Sequence, residues 1–149
     1  MPLKDEQSKG FTLIESLLVL SIFLIISSIT AFILQPHYNS VEDEAFLSQL
    51  KADLFYAQQY AISHQHEITV NFMANEYNYY VYERTDLPRL VERFYSNDIH
   101  VYPETLPLVF KFLVDGNVNK FGSFYIETKT GHYHVTFLIG KGRFYVTEE

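Results

Sequence analysis

Cysteine is absent from this chain of 149 residues. Neither a disulfide framework nor a thiolate metal site is therefore available, and a body working outside a cell would hold together by packing alone. Basic residues are also scarce: 11 Lys and Arg against 18 Asp and Glu give a formal charge of −7. Lys4, Lys9, Asp5, Glu6 and Glu15 lie in the first 34 residues, which leaves residues 35–149 at −6. That balance opposes a general phosphate-binding surface, because counterion release needs clustered Lys and Arg. Local DNA contact stays open, but the charge does not favour it. No Ser/His/Asp set stands in a nucleophile context, and no paired carboxylates carry a supporting motif. Gly140 and Gly142 flank Lys141 without leading into a helix, as a phosphate-cradling loop would. No enzyme reading has positive support, and no cofactor is expected.

Charge is rarest where the chain is greasiest. From Phe11 to Leu34 the only charged side chain is Glu15. A helix of that length spans roughly 36 Å, against about 30 Å of bilayer hydrocarbon. A carboxylate near the start of such a span costs a few kcal/mol unless something pairs with it. A cleaved secretory signal is the first reading, with Ala31 in "SITAF" as cut site, but the run is too long and the acid misplaced. A plain signal anchor explains length and apolarity and gives Lys9, Gly10, Phe11 and Glu15 no joint role. Lys4 and Lys9 precede the span and Glu42, Asp43 and Glu44 follow it. Since Lys and Arg dominate topology, the N-terminus is predicted inside and the body outside.

Beyond the span, Pro36 is expected to kink or interrupt the helix. Leu47, Leu50, Leu54, Ala57 and Ala61 then recur at three- and four-residue steps, flanked by Phe46 and Ile62, as an amphipathic stripe. Gln49, Lys51, Asp53 and Gln58 are assigned to its polar side. One interrupted helix is read from about Phe11 to about Ser63. After Gln65 the period becomes alternating. "HEITVNFM" places Ile68, Val70 and Phe72 on one face, and "EYNYYVYE" follows a short "ANE" turn. "LVERFY", "IHVY", "LVFKFLV", "GSFYIETK", "HYHVTFLI" and "RFYVT" follow, punctuated by glycines and by Pro103 and Pro107. The expected fold is α+β: a long N-terminal helix packed on a mainly antiparallel sheet, with the stripe covering the sheet's apolar face.

"KGFTLIES" resembles the type IV prepilin motif: a polar leader ending in Gly, an aromatic first mature residue, and Glu at mature position five. The resemblance implies cleavage between Gly10 and Phe11 by a membrane prepilin peptidase, and N-methylation of Phe11. Cleavage exposes an α-amine, ordinarily charged at neutral pH, one turn before Glu15. A first-turn carboxylate is also favoured by the helix dipole, by about 0.3–1 kcal/mol. Glu15 would pair with its own amine or, as the resemblance implies, with that of an incoming neighbour during assembly. "FKFLVDGNVNKFGSFYIE" and "IGKGRFYVTEE" are similar to the closing elements of GspH/FimT-related pseudopilins. "ESLLVLSIF" and "SQLKADLFYAQQYAIS" bring the likeness to minor pseudopilins of Gram-positive competence systems, which serve DNA uptake in transformation. The implied divisions are a leader at 1–10, a transmembrane and filament-core helix at 11–34, its amphipathic continuation at 35–65, and a β-rich head at 66–149. The implied partners are the major competence pseudopilin, other minor pseudopilins, the prepilin peptidase, an assembly platform and an ATPase. The implied location is a single-pass membrane protein that joins a surface pseudopilus. A pseudopilin of a type II secretion-like system and a signal-anchored binding module that never polymerises remain the alternatives.

Lesser candidates have simpler readings. His64/His66 and His132/His134 could offer paired imidazoles, but no third ligand stands at a metal-motif spacing. Tyr77, Tyr79, Tyr80 and Tyr82 could stack bases, yet beside Glu76 and Glu83 they suit a core or a protein interface better. Asp115-Gly116 is a turn dipeptide, and "DGNVNK" lacks the acids of a calcium loop.

Overall fold

A computed structural model describes residues 12–140 and 142–149, with residues 31–40 described in their backbone only. The chain falls into two units, Met1–Tyr38 and Asn39–Glu149. A single helix, α1, is assigned over Leu13–His64, and the assignment runs through Pro36 without a break. The interruption expected at Pro36 is thus not seen in the backbone assignment.

In the larger unit α1 is followed by β1 (Ile68–Met73), a 3-10 turn (Ala74–Glu76), β2 (Asn78–Tyr82), β3 (Val91–Phe94), β4 (His100–Pro103) and β5 (Val109–Phe112). Next come β6 (Gly122–Glu127), β7 (His132–Phe137) and β8 (Phe144–Glu148). Every run of alternating residues forms a strand, but in two sheets rather than one. The orders are β3-β2-β1-β5 and β4-β6-β7-β8, with all neighbours antiparallel. The chain changes sheet between β3 and β4, between β4 and β5 and between β5 and β6, and Pro103, the last residue of β4, and Pro107 mark the second of these crossings.

The inner faces share one core. Leu47, Leu50, Leu54, Ala57 and Ala61 of α1 are buried, as are Ile68, Val70 and Phe72 of β1. Phenylalanines join the sheets: Phe72 and Phe124 ring centroids are 5.1 Å apart, and those of Phe110 and Phe137 are 5.0 Å apart. Such pairs add about 0.5–1.5 kcal/mol beyond the area they bury.

Two residues assigned to the polar side of α1 are buried instead. Asp53 is only 6 % exposed and Gln58 only 7 %. Asp53 accepts hydrogen bonds from Tyr79 Oη at 2.7 Å, Arg93 Nε at 3.0 Å and Gln49 Nε2 at 2.9 Å. A carboxylate leaves water without heavy penalty only when its lone pairs are filled in this way. Burial, followed by the Asp53 hydrogen bond, pushes the Tyr79 phenol far above its ordinary range, so it stays a donor. Asp53→Ala strands the buried Tyr79 hydroxyl and removes the acid partner of Arg93. Arg93 is half exposed and returns to water, so the loss is set by the stranded hydroxyl, about 1–3 kcal/mol, and chemical denaturation of the purified chain should show a loss of that size.

Candidate functional site

The described part of the helix starts at the acid that the sequence singles out. Thr12 precedes α1, and its N–H and Oγ1 each donate to Glu15 Oε2 at 2.9 Å. In return the Glu15 N–H points at Thr12 Oγ1, at 3.4 Å. This is a capping box, T-x-x-E, which satisfies two of the four N–H groups that a helix start leaves without partners. Glu15 therefore has a local role that its charge alone did not suggest. The interaction occupies Oε2, whereas an ionised carboxylate can accept on both oxygens. Gly10 and Phe11 lie outside the described residues.

Leu13–Thr30 is an 18-residue stretch long and apolar enough to cross a membrane, and its side chains are exposed. Its hydroxyls turn inward on the helix. Ser21 donates to Leu17 O at 2.8 Å, Ser28 to Leu24 O at 2.8 Å, and Thr30 to Ile26 O at 2.9 Å. Polar side chains that satisfy themselves on their own backbone suit a medium without water.

Within the body, Gln58 ties two distant turns together, donating from Nε2 to Gly116 O at 2.8 Å and to Gly142 O at 3.2 Å. Asn117 Oδ1 accepts from the Gly142 N–H at 3.2 Å. Gly142 has φ +56°, and a Cβ on it would lie 2.0 Å from Gly116 O. The "DG" turn and the closing "GKGR" segment, far apart in sequence, are thus two halves of one clamp. Asp43, near the other end of this part of α1, accepts from the Thr130 N–H at 3.1 Å and from its hydroxyl.

The remaining candidates disperse. Tyr79 lies in the core, and Tyr77 faces Tyr95 and His100. Burial, aided by the nearby Tyr77, pushes the Tyr95 phenol up to about 12. Tyr80 accepts from Asn71 Nδ2 at 2.7 Å, with the Arg89 guanidinium 4.1 Å from its ring centre. The four tyrosines thus form no common stacking platform. His64 stacks on Tyr60, His66 pairs with Glu83, and His134 lies between Glu104 and Glu149. No set of three or more His, Cys, Asp or Glu placed to hold a metal is present among the described residues. Asp115 accepts from Asn117 N at 2.9 Å and Nδ2 at 2.6 Å, which holds its carboxyl below the usual range and closes a turn.

Comparison with known proteins agrees with this arrangement. The family described as "Prokaryotic N-terminal methylation motif" matches residues 7–31, which contain the capping box and most of the apolar span. Competence protein ComGD of Bacillus subtilis (strain 168) is 33 % identical over 145 residues, covering 96 % of each chain. This chain belongs to the ComGD family. Two solved structures share its fold. The type IV minor pilin FimU of Pseudomonas aeruginosa (strain PAO1) superposes with a TM-score of 0.58 at 12 % identity, over 78 % of this chain and 92 % of that one. The minor pseudopilin EpsH of the Vibrio cholerae type 2 secretion system gives 0.54 at 12 % identity, over 72 % and 97 %. The chain has a type IV pilin-like fold with an N-terminal apolar helix.

Proposed function

We propose that this chain is a minor pseudopilin of a competence apparatus for DNA uptake and acts as a structural subunit, not a catalyst. It is inserted with its N-terminus inside, cut between Gly10 and Phe11 by prepilin peptidase and methylated on Phe11. It then leaves the bilayer to join a short surface pilus with the major pseudopilin and other minor ones, driven by an assembly platform and its ATPase. The observation that carries this reading is the coincidence of the methylation motif with the Thr12–Glu15 cap. Cleavage places a new amine two residues before the helix, and the capped carboxylate keeps one oxygen able to meet a neighbour's amine. Exposed apolar groups on Leu13–Thr30 suit either lipid or a bundle of like helices, so the transfer between the two costs little. Pro36 has no N–H for the preceding turn, which removes one helical hydrogen bond there although the helix assignment continues through it. The acidic body leaves DNA to other components.

Mass spectrometry of the N-terminus tests the reading directly. Membranes containing the peptidase should yield a chain beginning at methylated Phe11, and membranes lacking it a chain with the leader. An intact leader in both samples overturns the proposal.

A further inference from the structure

The two faces of the sheet β4-β6-β7-β8 differ in kind. Phe124, Ile126, Val135 and Phe137 are buried in the core, so the residues that alternate with them face outward. Register sets Tyr102, Tyr125 and His134 side by side across three strands, with Glu127 and His132 in the next row. The rings adjoin one another. The Tyr125 ring centre lies 6.4 Å from that of Tyr102, 5.1 Å from that of His134 and 5.9 Å from that of His132, on which it stacks. Tyr102 is 47 % exposed. Cross-strand aromatic pairs stabilise a sheet by themselves, but that role does not call for the acids that surround these rings.

Glu104 Oε2 stands 3.4 Å from Nδ1 of His134 and Glu149 Oε1 stands 3.3 Å from its Nε2, and both acids are exposed. Burial first, and then the Glu149 and Glu127 carboxylates, push the Tyr125 phenol up, so the acids act on the ring at the centre of the face. None of the four strands contains a Lys or Arg. Lys129, in the turn between β6 and β7, is bonded to Asp98. The face therefore presents carboxylates with no lysine or arginine of its own strands to meet them, beside rings whose π surfaces also attract a cation.

We propose that this face docks an arginine-bearing segment of a different pseudopilus subunit, with a guanidinium over Tyr102 and Tyr125 and paired to Glu104 and Glu149. The proposal rests on the pseudopilin reading. Arginine suits the face better than lysine, because its planar head stacks on a ring and meets a carboxylate along the same edge. A second copy of this chain is a poor occupant. Its residues 35–149 carry a net −6, and its Arg84, Arg89, Arg93, Lys111 and Lys129 already pair with its own acids. Nucleic acid is repelled by the same carboxylates, and a glycan would lie on the tyrosines without using the charge.

The test titrates the purified full-length chain, in detergent, into a short fluorescent peptide of alternating Gly and Arg and follows anisotropy. Binding is expected, weaker for the matched Gly–Lys peptide and absent for Gly–Glu. Tyr125→Val keeps the charge and suits a strand; it should weaken binding roughly two- to fivefold, the scale of an exposed cation–π contact. Glu104→Gln together with Glu149→Gln should weaken it about tenfold, the scale of two exposed ion pairs. Glu44→Gln removes an exposed acid of α1 and should change nothing. Circular dichroism of each variant controls for folding. Indifference to Tyr125→Val, or an equal loss from Glu44→Gln, would reduce the binding to diffuse attraction and overturn the site. In competent cells, Tyr102→benzoylphenylalanine should photo-cross-link to a Lys- or Arg-bearing segment of another pseudopilin, and the Glu104 and Glu149 substitutions should remove that product. Capture of only a second copy or wall glycan, or a product indifferent to those charges, overturns the partner. Processing at Phe11 without arginine binding defeats the contact alone; arginine binding without processing defeats the pseudopilin reading alone.

Discussion

Glu15→Gln is expected to leave the protein processed, folded and membrane-inserted, yet absent from filaments, with transformation falling to the level of cells lacking the gene. Glutamine serves as well as glutamate at the third helical position of a capping box, since its amide oxygen can accept from the Thr12 N–H. The substitution keeps the local helix start and removes only the charge. Glu15→Val removes both: it frees the Thr12 N–H and costs the cap in addition, about 0.5–2 kcal/mol on the scale of cap losses. If Glu15 serves the helix start alone, Gln behaves as wild type and Val shows a partial defect. If it meets a neighbour's amine, both variants fail alike, because an ion pair in an apolar bundle loses its attraction when one side becomes neutral. The readouts are N-terminal mass, membrane level and recovery in sheared filaments. Transformation at wild-type frequency by Glu15→Gln would overturn the assembly role.

The Glu15 case also shows what the sequence could convey. Thr12 and Glu15 stand at the spacing of a standard helix-start signature, and the cap was legible there. The stripe from Leu47 to Ala61 was legible because the helical period is local and five apolar residues agree on it. Asp53 and Gln58 flank the same stripe, and what buries them is remote: Tyr79 lies 26 residues on, Gly116 lies 58 on, and nothing near either residue announces its partner. Alternation sets Ile68, Val70 and Phe72 on one face of β1, and all three are buried. It said nothing of partners, and so could not divide eight strands into two sheets or send β4 and β5 to different ones. The "DG" and "GKGR" segments were visible as glycine-marked turns, but their meeting through Gln58 is a tertiary fact.

That meeting sets the second large effect. Gly142→Ala is expected to destabilise the protein by about 3 kcal/mol or more. At φ +56° an L-residue costs roughly 1–2 kcal/mol. The new Cβ would also stand 2.0 Å from Gly116 O and 2.5 Å from Gln58 Nε2. Neither neighbour has room to yield: the first is backbone, and the second is the buried amide that holds both turns. Separating them leaves Gln58 donors without acceptors, a further 1–3 kcal/mol or so. Gly140→Ala is the control, because Gly140 also has positive φ, +93°, with nothing within 4 Å of the added carbon. It should show the conformational strain alone. Against a total stability of about 5–15 kcal/mol, the Gly142 variant should be depleted from membranes and unfold at much lower denaturant, while Gly140→Ala loses only the backbone strain of roughly 1–2 kcal/mol. Equal losses at the two positions would mean that the clamp does not form. The larger loss at Gly142 would show that the two turns are held from within the core, through the Gln58 amide.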